Sequence, residues 1–301
     1  SVITSKRPLV ISSCIYIIFL VTSLPCYDPV SSFLKSAYVY YFKSHLSADY
    51  VPGSYPLLKT NSDAFNSFQS NPTPSAPSVF LIIVESLNHS ILHQSTEDGK
   101  EITPFLNRLE KSSVTIDPFF GNSIQSARGH LAIFFSIIPS ISEKVSTTYS
   151  DISLQSIGKV MNDSGYKSIF FQAQKSDSFD NVYAFLGNNG FEMHSVTPYL
   201  QAEDAPYIWR EWGPEDRVFF KRFFDFYDAQ NLSKTPTFIS LLTIASHYPF
   251  SSVPKSRRLL YPEPTNIHQE YANIIHLSDQ GIELFFKELK ARGELENNIV
   301  I

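Results

Sequence analysis

The stretch Val79-Phe80-Leu81-Ile82-Ile83-Val84-Glu85-Ser86 decides the fold. An unbroken apolar run, rich in β-branched residues, meets a carboxylate at its end. The run is too short to cross a membrane. It reads as a strand buried on both faces of a parallel sheet. In open α/β sheets ligands bind beyond the carboxyl ends of the strands, and Glu85 stands at such an end. A functional acid and a solvated acid closing a strand are its two readings.

Outward from this strand, apolar runs alternate with helical patterns. Residues 103–111 have helical spacing, with Thr103 as N-cap and Pro104 at the first helical position. Residues 114–120 read as a short strand, 127–138 as an apolar helix and 168–172 as a strand. Residues 154–164 and 180–189 read as helices closed by Gly165 and Gly190. Residues 217–230 predict an amphipathic helix whose Phe219, Phe220, Phe223 and Phe224 belong to a core. A central strand over 237–243, a long helix over 270–292 and the opening of a strand over 298–301 follow. The alternation predicts an α/β fold, a mostly parallel central sheet with helices on both faces.

At 301 residues the chain has room for one large domain or two small ones. Its net charge of −5 argues against nucleic acid as the main partner. Its two cysteines, Cys14 and Cys26, make neither a disulfide framework nor a structural zinc site. Lys6 and Arg7 precede a mostly apolar stretch over 8–26, diluted by Ser12, Ser13, Thr22 and Ser23. It has two readings, a signal-peptide core and the last transmembrane helix of a longer protein. The lack of a small-x-small cleavage site and the poor lipobox at Pro25-Cys26 favour the helix. The positive-inside rule keeps Lys6 and Arg7 cytoplasmic and puts everything after Asp28 outside. The expected plan is a transmembrane helix over 1–28, a juxtamembrane helix and Pro/Ser/Asn-rich linker over 29–77, and an extracytoplasmic domain over 78–301.

Two more constellations carry chemistry. In Phe119-Phe120-Gly121-Asn122-Ser123-Ile124-Gln125-Ser126-Ala127-Arg128-Gly129-His130 a polar loop enters a helix near Ser126. A hydroxyl there faces free backbone N–H groups and the positive end of the dipole, a setting that stabilises an attacking alkoxide and holds a phosphate or sulfate ester. A plain N-cap is the other reading of Ser126. In Thr237-Phe238-Ile239-Ser240-Leu241-Leu242-Thr243-Ile244-Ala245-Ser246-His247-Tyr248-Pro249-Phe250 a buried strand ends in a loop with His247. A metal ligand, a general acid, an oxyanion anchor and a structural histidine are its readings.

Together these segments resemble the sulfatase-like branch of the alkaline phosphatase superfamily, and within it the lipoteichoic acid synthase and phosphoglycerol transferase group. Ile83-Val84-Glu85-Ser86 matches the (I/V)-x-E-S motif that ends the first strand. Gln125-Ser126-Ala127-Arg128-Gly129 fits the R-T-S-R-G nucleophile motif apart from its first residue and a Ser-for-Thr change. Ser246-His247-Tyr248-Pro249-Phe250 matches (S/N)-H-x-P-(F/Y), and Trp212-Gly213-Pro214-Glu215-Asp216 is similar to W-G-x-x-D. The resemblance spans about residues 78–301. Residues 279–301 are similar to the helix and strand that precede the family's Asp-His metal pair, so the chain is expected to be a fragment that stops short of it.

The resemblance implies roles residue by residue. Glu85 and Ser126 would bind a divalent ion, Mn²⁺ or Mg²⁺ with Zn²⁺ as a third option. Ser126 would be the nucleophile, passing a phospholipid head group through a phospho-serine to a glycan or lipid acceptor. His247 would bind phosphate oxygens or protonate a leaving oxygen, and Trp212, Asp216 and Arg128 would contact substrate. The implied place is the inner or plasma membrane, with the catalytic domain periplasmic or at the cell surface. A phosphoethanolamine transferase, a phosphodiesterase, a sulfatase-family hydrolase and a catalytically silent lipid-binding regulator are the alternatives. The formylglycine pattern C/S-x-P/A-x-R fits neither Ser123 nor Ser126, which counts against an arylsulfatase mechanism.

Overall fold

β1 forms where its apolar run predicts, over Val79–Ile83. The computed structural model describes residues 37–38 and 76–301 except 118, 142, 176–178 and 209–211. The chain divides into Ser1–Asn61 and Ser62–Ile301, and every element below lies in the second unit. The transmembrane helix expected over 1–28 lies outside the described residues, as does nearly all of the connector over 29–77. Among the described residues no helix is long and apolar enough to cross a membrane.

β2 (Lys167–Gln172), β3 (Glu192–Ser195), β4 (Thr237–Leu242) and β5 (Ile299–Val300) complete a five-stranded sheet in the order β3-β2-β4-β1-β5. Every pairing is parallel. β1 and β4 align Val79 with Phe238 and Ile83 with Leu242, so both end at one level. The amides that follow cross over: Thr243 donates to the Ile83 carbonyl and Ala173 to that of Leu242.

Alternation along β1 sends its side chains to two cores. Phe80 and Ile82 join an aromatic core built by α6 (Asp216–Ala229) and α7 (Ile267–Ala291). Val79, Leu81 and Ile83 face a second core built by α2 (Ser126–Phe135) and α5 (Val182–Asn188). Helices thus cover both faces, as the alternating pattern predicts. The predicted phenylalanines of α6 carry the first core: Phe80 meets Phe223 edge-on at 6.3 Å and Phe285 at 5.5 Å. The remaining helices are α1 (Pro104–Glu110), α3 (Val145–Thr148) and α4 (Ile157–Asp163). Gly165 and Gly190 take φ of 84° and 100°, the left-handed turns expected after α4 and α5.

Two expectations fail. Residues 114–120 form no strand: Val114 is 96% exposed and Phe120 80%. No described strand pairs with this segment, so its backbone has no ladder to join. Conversely, β3 carries Glu192 and His194 among its four residues, too polar to read as a strand; pairing with β2 makes it one. α2 also stops at Phe135 rather than residue 138, because Ser136 turns left-handed at φ 55°.

Candidate active site

Glu85 follows β1 directly, and the neighbouring strand fixes its backbone. Its amide donates to Thr243 Oγ1 at 3.0 Å, and Ser246 Oγ donates to its carbonyl. A one-residue slip of β1 against β4 would break the first of these bonds. The carboxylate points toward the entry of α2. Ser126 Oγ donates to Glu85 Oε2 at 2.9 Å, and Ser86 Oγ donates to Oε1 at 3.0 Å. Ser86 adopts φ 53°, a left-handed turn at the end of the strand.

Ser126 is not the N-cap of α2. That position is Gln125, which makes no side-chain cap bond. Ser126 is the first helical residue, exposed, with its hydroxyl committed to the carboxylate instead of the helix backbone. The uncapped first turn leaves N–H groups and the dipole facing the space beside the hydroxyl. Arg128 is half-buried and donates from Nε to the Glu143 carbonyl at 3.3 Å, which ties α2 to the loop before α3.

His247 and Trp212 form a second pair. Their rings stack at 4.5 Å with planes 21° apart. His247 Nδ1 lies 2.8 Å from the Tyr248 carbonyl, which only accepts. Nδ1 therefore carries the hydrogen, and Nε2 is the open face of the ring. Trp212 in turn receives the edge of Phe179 at 5.6 Å.

Asp216 lies within electrostatic reach of Glu85. It is the first residue of α6, 1% exposed, and neither carboxylate oxygen has a hydrogen-bond partner. Burial pushes its pKa up to about 7, with the charges of Glu215 and Glu85 adding to the rise. His130, one turn beyond Ser126 on α2, is a second buried group, and the sequence assigns it no role. Neither ring nitrogen has a partner, and the ring packs on Phe134 and Phe170. Burial lowers its pKa to about 4. Sequence reasoning missed Thr243 and Ser246, although a polar residue closing an apolar strand is the signal that marks Thr243.

Residues 77–301 match the sulfatase family model. The chain belongs to the sulfatase family. Its relatives within that family include the lipoteichoic acid synthase-like protein YvgJ of Bacillus subtilis (strain 168). The two are 26% identical over 234 residues, 74% of this chain and 36% of that protein. The chain thus spans about a third of the length of the curated relatives it matches. Among solved structures, the lipoteichoic acid synthase LtaP of Listeria monocytogenes has a TM-score of 0.65 at 20% identity, over 75% of this chain and 55% of that one. The phosphoglycerol transferase GacH of Streptococcus pyogenes, solved with sn-glycerol-1-phosphate, has a TM-score of 0.50 at 14% identity, over 75% and 61%. These likenesses bear out the predicted α/β sulfatase-like fold and the resemblance drawn from the motifs. Members of this sulfatase-like superfamily are enzymes and generally use divalent metals.

The described residues meet only part of a metal ion's needs. Glu85 and Ser126 offer oxygen donors of the kind that Mg²⁺ and Mn²⁺ prefer. An ion needs about four to six donors. Among the described residues no group of three or more His, Cys, Asp or Glu side chains converges. These residues alone do not fit an ion.

Proposed function

We propose that the protein is a membrane-anchored phosphoglycerol transferase of the lipoteichoic acid synthase type, with Ser126 as its nucleophile. The observation that carries this reading is the 2.9 Å bond from Ser126 Oγ to Glu85 Oε2 at the uncapped entry of α2. As Oγ attacks the phosphorus of a phospholipid head group, its proton passes to the carboxylate it already touches. The P–O bond to the lipid breaks, diacylglycerol leaves, and phosphoglycerol remains on Ser126. His247, as the imidazolium, gives its Nε2 proton to the departing oxygen. A hydroxyl of a glycan or lipid acceptor then attacks the phospho-serine and gives its proton to His247 Nε2; the P–O bond to Ser126 breaks, and Ser126 takes back its proton from Glu85. The first-turn amides of α2 stabilise the charge that builds on the phosphoryl oxygens.

A transmembrane helix over 1–28 and the connector over 29–77 tether the domain on the outer side of the membrane, beside its lipid donor. Glu85 and Ser126 would supply two oxygen donors to a divalent ion, which would polarise the phosphoryl group. The test uses the full-length protein with a phospholipid carrying a labelled head group. Ser126→Ala should abolish label transfer and leave the melting temperature unchanged. Retained turnover in that variant rules out Ser126 as nucleophile. Release of free phosphoglycerol with every acceptor offered marks a hydrolase instead.

A further inference from the structure

We infer that Trp212 is a positioning residue for His247: its indole holds the imidazole face, and its contacts run to the fold rather than to substrate. The proposal rests on His247 serving the transfer reaction above. Four observations carry it. First, the two rings are stacked, 4.5 Å apart and 21° from parallel. Second, Phe179 meets the indole edge-on at 79°, so the slab is itself braced. Third, the backbone of this segment is pinned. The Lys175 amide donates to the Trp212 carbonyl at 3.0 Å. A Cβ on Gly213 would lie 2.3 Å from the Ala173 carbonyl oxygen and 2.6 Å from Ile244 Cγ2, so only glycine allows this approach to the ends of β2 and β4. Fourth, the next residues anchor the segment from the other side. Glu215 is 1% exposed and pairs with Arg257 through Nε at 3.1 Å and with Arg217 at 3.0 Å.

His247 has one hydrogen bond of its own to orient it, from Nδ1 to the neighbouring Tyr248 carbonyl. That bond fixes the tautomer and leaves the ring free to swing about it. The indole removes this freedom by covering one face. A flat, rigid slab does this at small entropic cost, and Phe in its place would preserve most of the contact.

The test has an arm that does not depend on activity. In the full chain with ¹⁵N-labelled histidine, the ring protons of His247 should be shifted upfield by the indole, and Nδ1 should carry the hydrogen. Trp212→Ala should remove the shift while Nδ1 keeps its hydrogen, and Trp212→Phe should retain the shift largely intact. In transfer assays Trp212→Ala should lower kcat by about 100-fold, the scale of a misplaced catalytic group, with KM nearly unchanged. Trp212→Phe should recover to within about tenfold. An unchanged His247 spectrum in Trp212→Ala overturns the proposal. So does a raised KM at constant kcat, which would place Trp212 against substrate. If the protein transfers nothing but the spectra change as expected, the transferase reading fails while the positioning of His247 by Trp212 stands.

Discussion

The two ends of the sheet obey opposite rules. At the amino end Ser78, Thr237 and Asn298 find protein partners. The Ser78 amide donates to Asn298 Oδ1 at 2.8 Å, and the Thr237 amide and hydroxyl both approach Ser78 Oγ at 3.1 Å. These bonds tie β1, β4 and the approach to β5 together. A cavity of about 320 Å³ opens here beside Ser78, Tyr227 and Glu294, and no predicted site residue lines it. At the carboxyl end polar groups are left over. An exposed hydroxyl leans on a carboxylate, an imidazole keeps Nε2 open, and two buried titratable groups, Asp216 and His130, have no partner. Satisfied groups stabilise; unsatisfied ones cost stability and are available for chemistry. The volume of a cavity is a poorer guide to function than the chemistry of the groups around it.

Four substitutions separate the two ends. The largest effect belongs to Glu85→Gln, which keeps the shape and removes the proton acceptor. It should lower turnover by about 10²- to 10⁴-fold with a melting curve close to that of the parent. A large loss of stability would instead make Glu85 a structural residue.

Asp216 comes next. Its pKa is raised from 3.8 to about 7, so the folded state holds the proton more tightly than the unfolded one. Stability is then full below the unfolded value and is lost as pH rises through about 7. Ser278 and the Ala245 backbone act to lower the value, and the charges of Glu215 and Glu85 act to raise it. Linkage puts the loss at about 4 kcal/mol. Asp216→Asn should abolish it, which denaturant unfolding at pH 4 to 8 would show. Equal slopes for parent and variant would mean that Asp216 is not a source of the pH dependence.

His130 carries the opposite sign. Its pKa falls from 6.5 to about 4, so stability is present above 6.5 and is lost as pH drops toward 4. The loss is about 3 kcal/mol, and His130→Phe should flatten the acid limb of the same curve. The smallest effect belongs to the amino end. Asn298→Ala orphans the Ser78 amide and should cost about 1–3 kcal/mol in unfolding free energy. Turnover per folded molecule should stay unchanged, and a drop in it would end the separation between the two ends.

Much of the architecture was legible from residue order. The apolar runs of β1 and β4, the phenylalanines of α6 and the terminating Gly165 and Gly190 all act through local patterns. Residues 114–120 and β3 were not legible, for one reason. The first has the composition of a strand without a described neighbour, and the second has a neighbour without the composition. A strand is a relation between segments, so a sequence window sees only half of it.

The same division runs through the site. The sequence by itself supplied Glu85, Ser126 and His247, each marked by a short motif at the end of a strand or the start of a helix. The fold alone decided that Ser126 bonds Glu85 across 41 residues, that Trp212 covers the face of His247, and that Asp216 and His130 are sealed away without partners. Motifs are local because the backbone around a reacting group must take a fixed shape. Partners are not, because hydrogen bonds and stacking form between whichever surfaces the packed sheet and helices bring within reach.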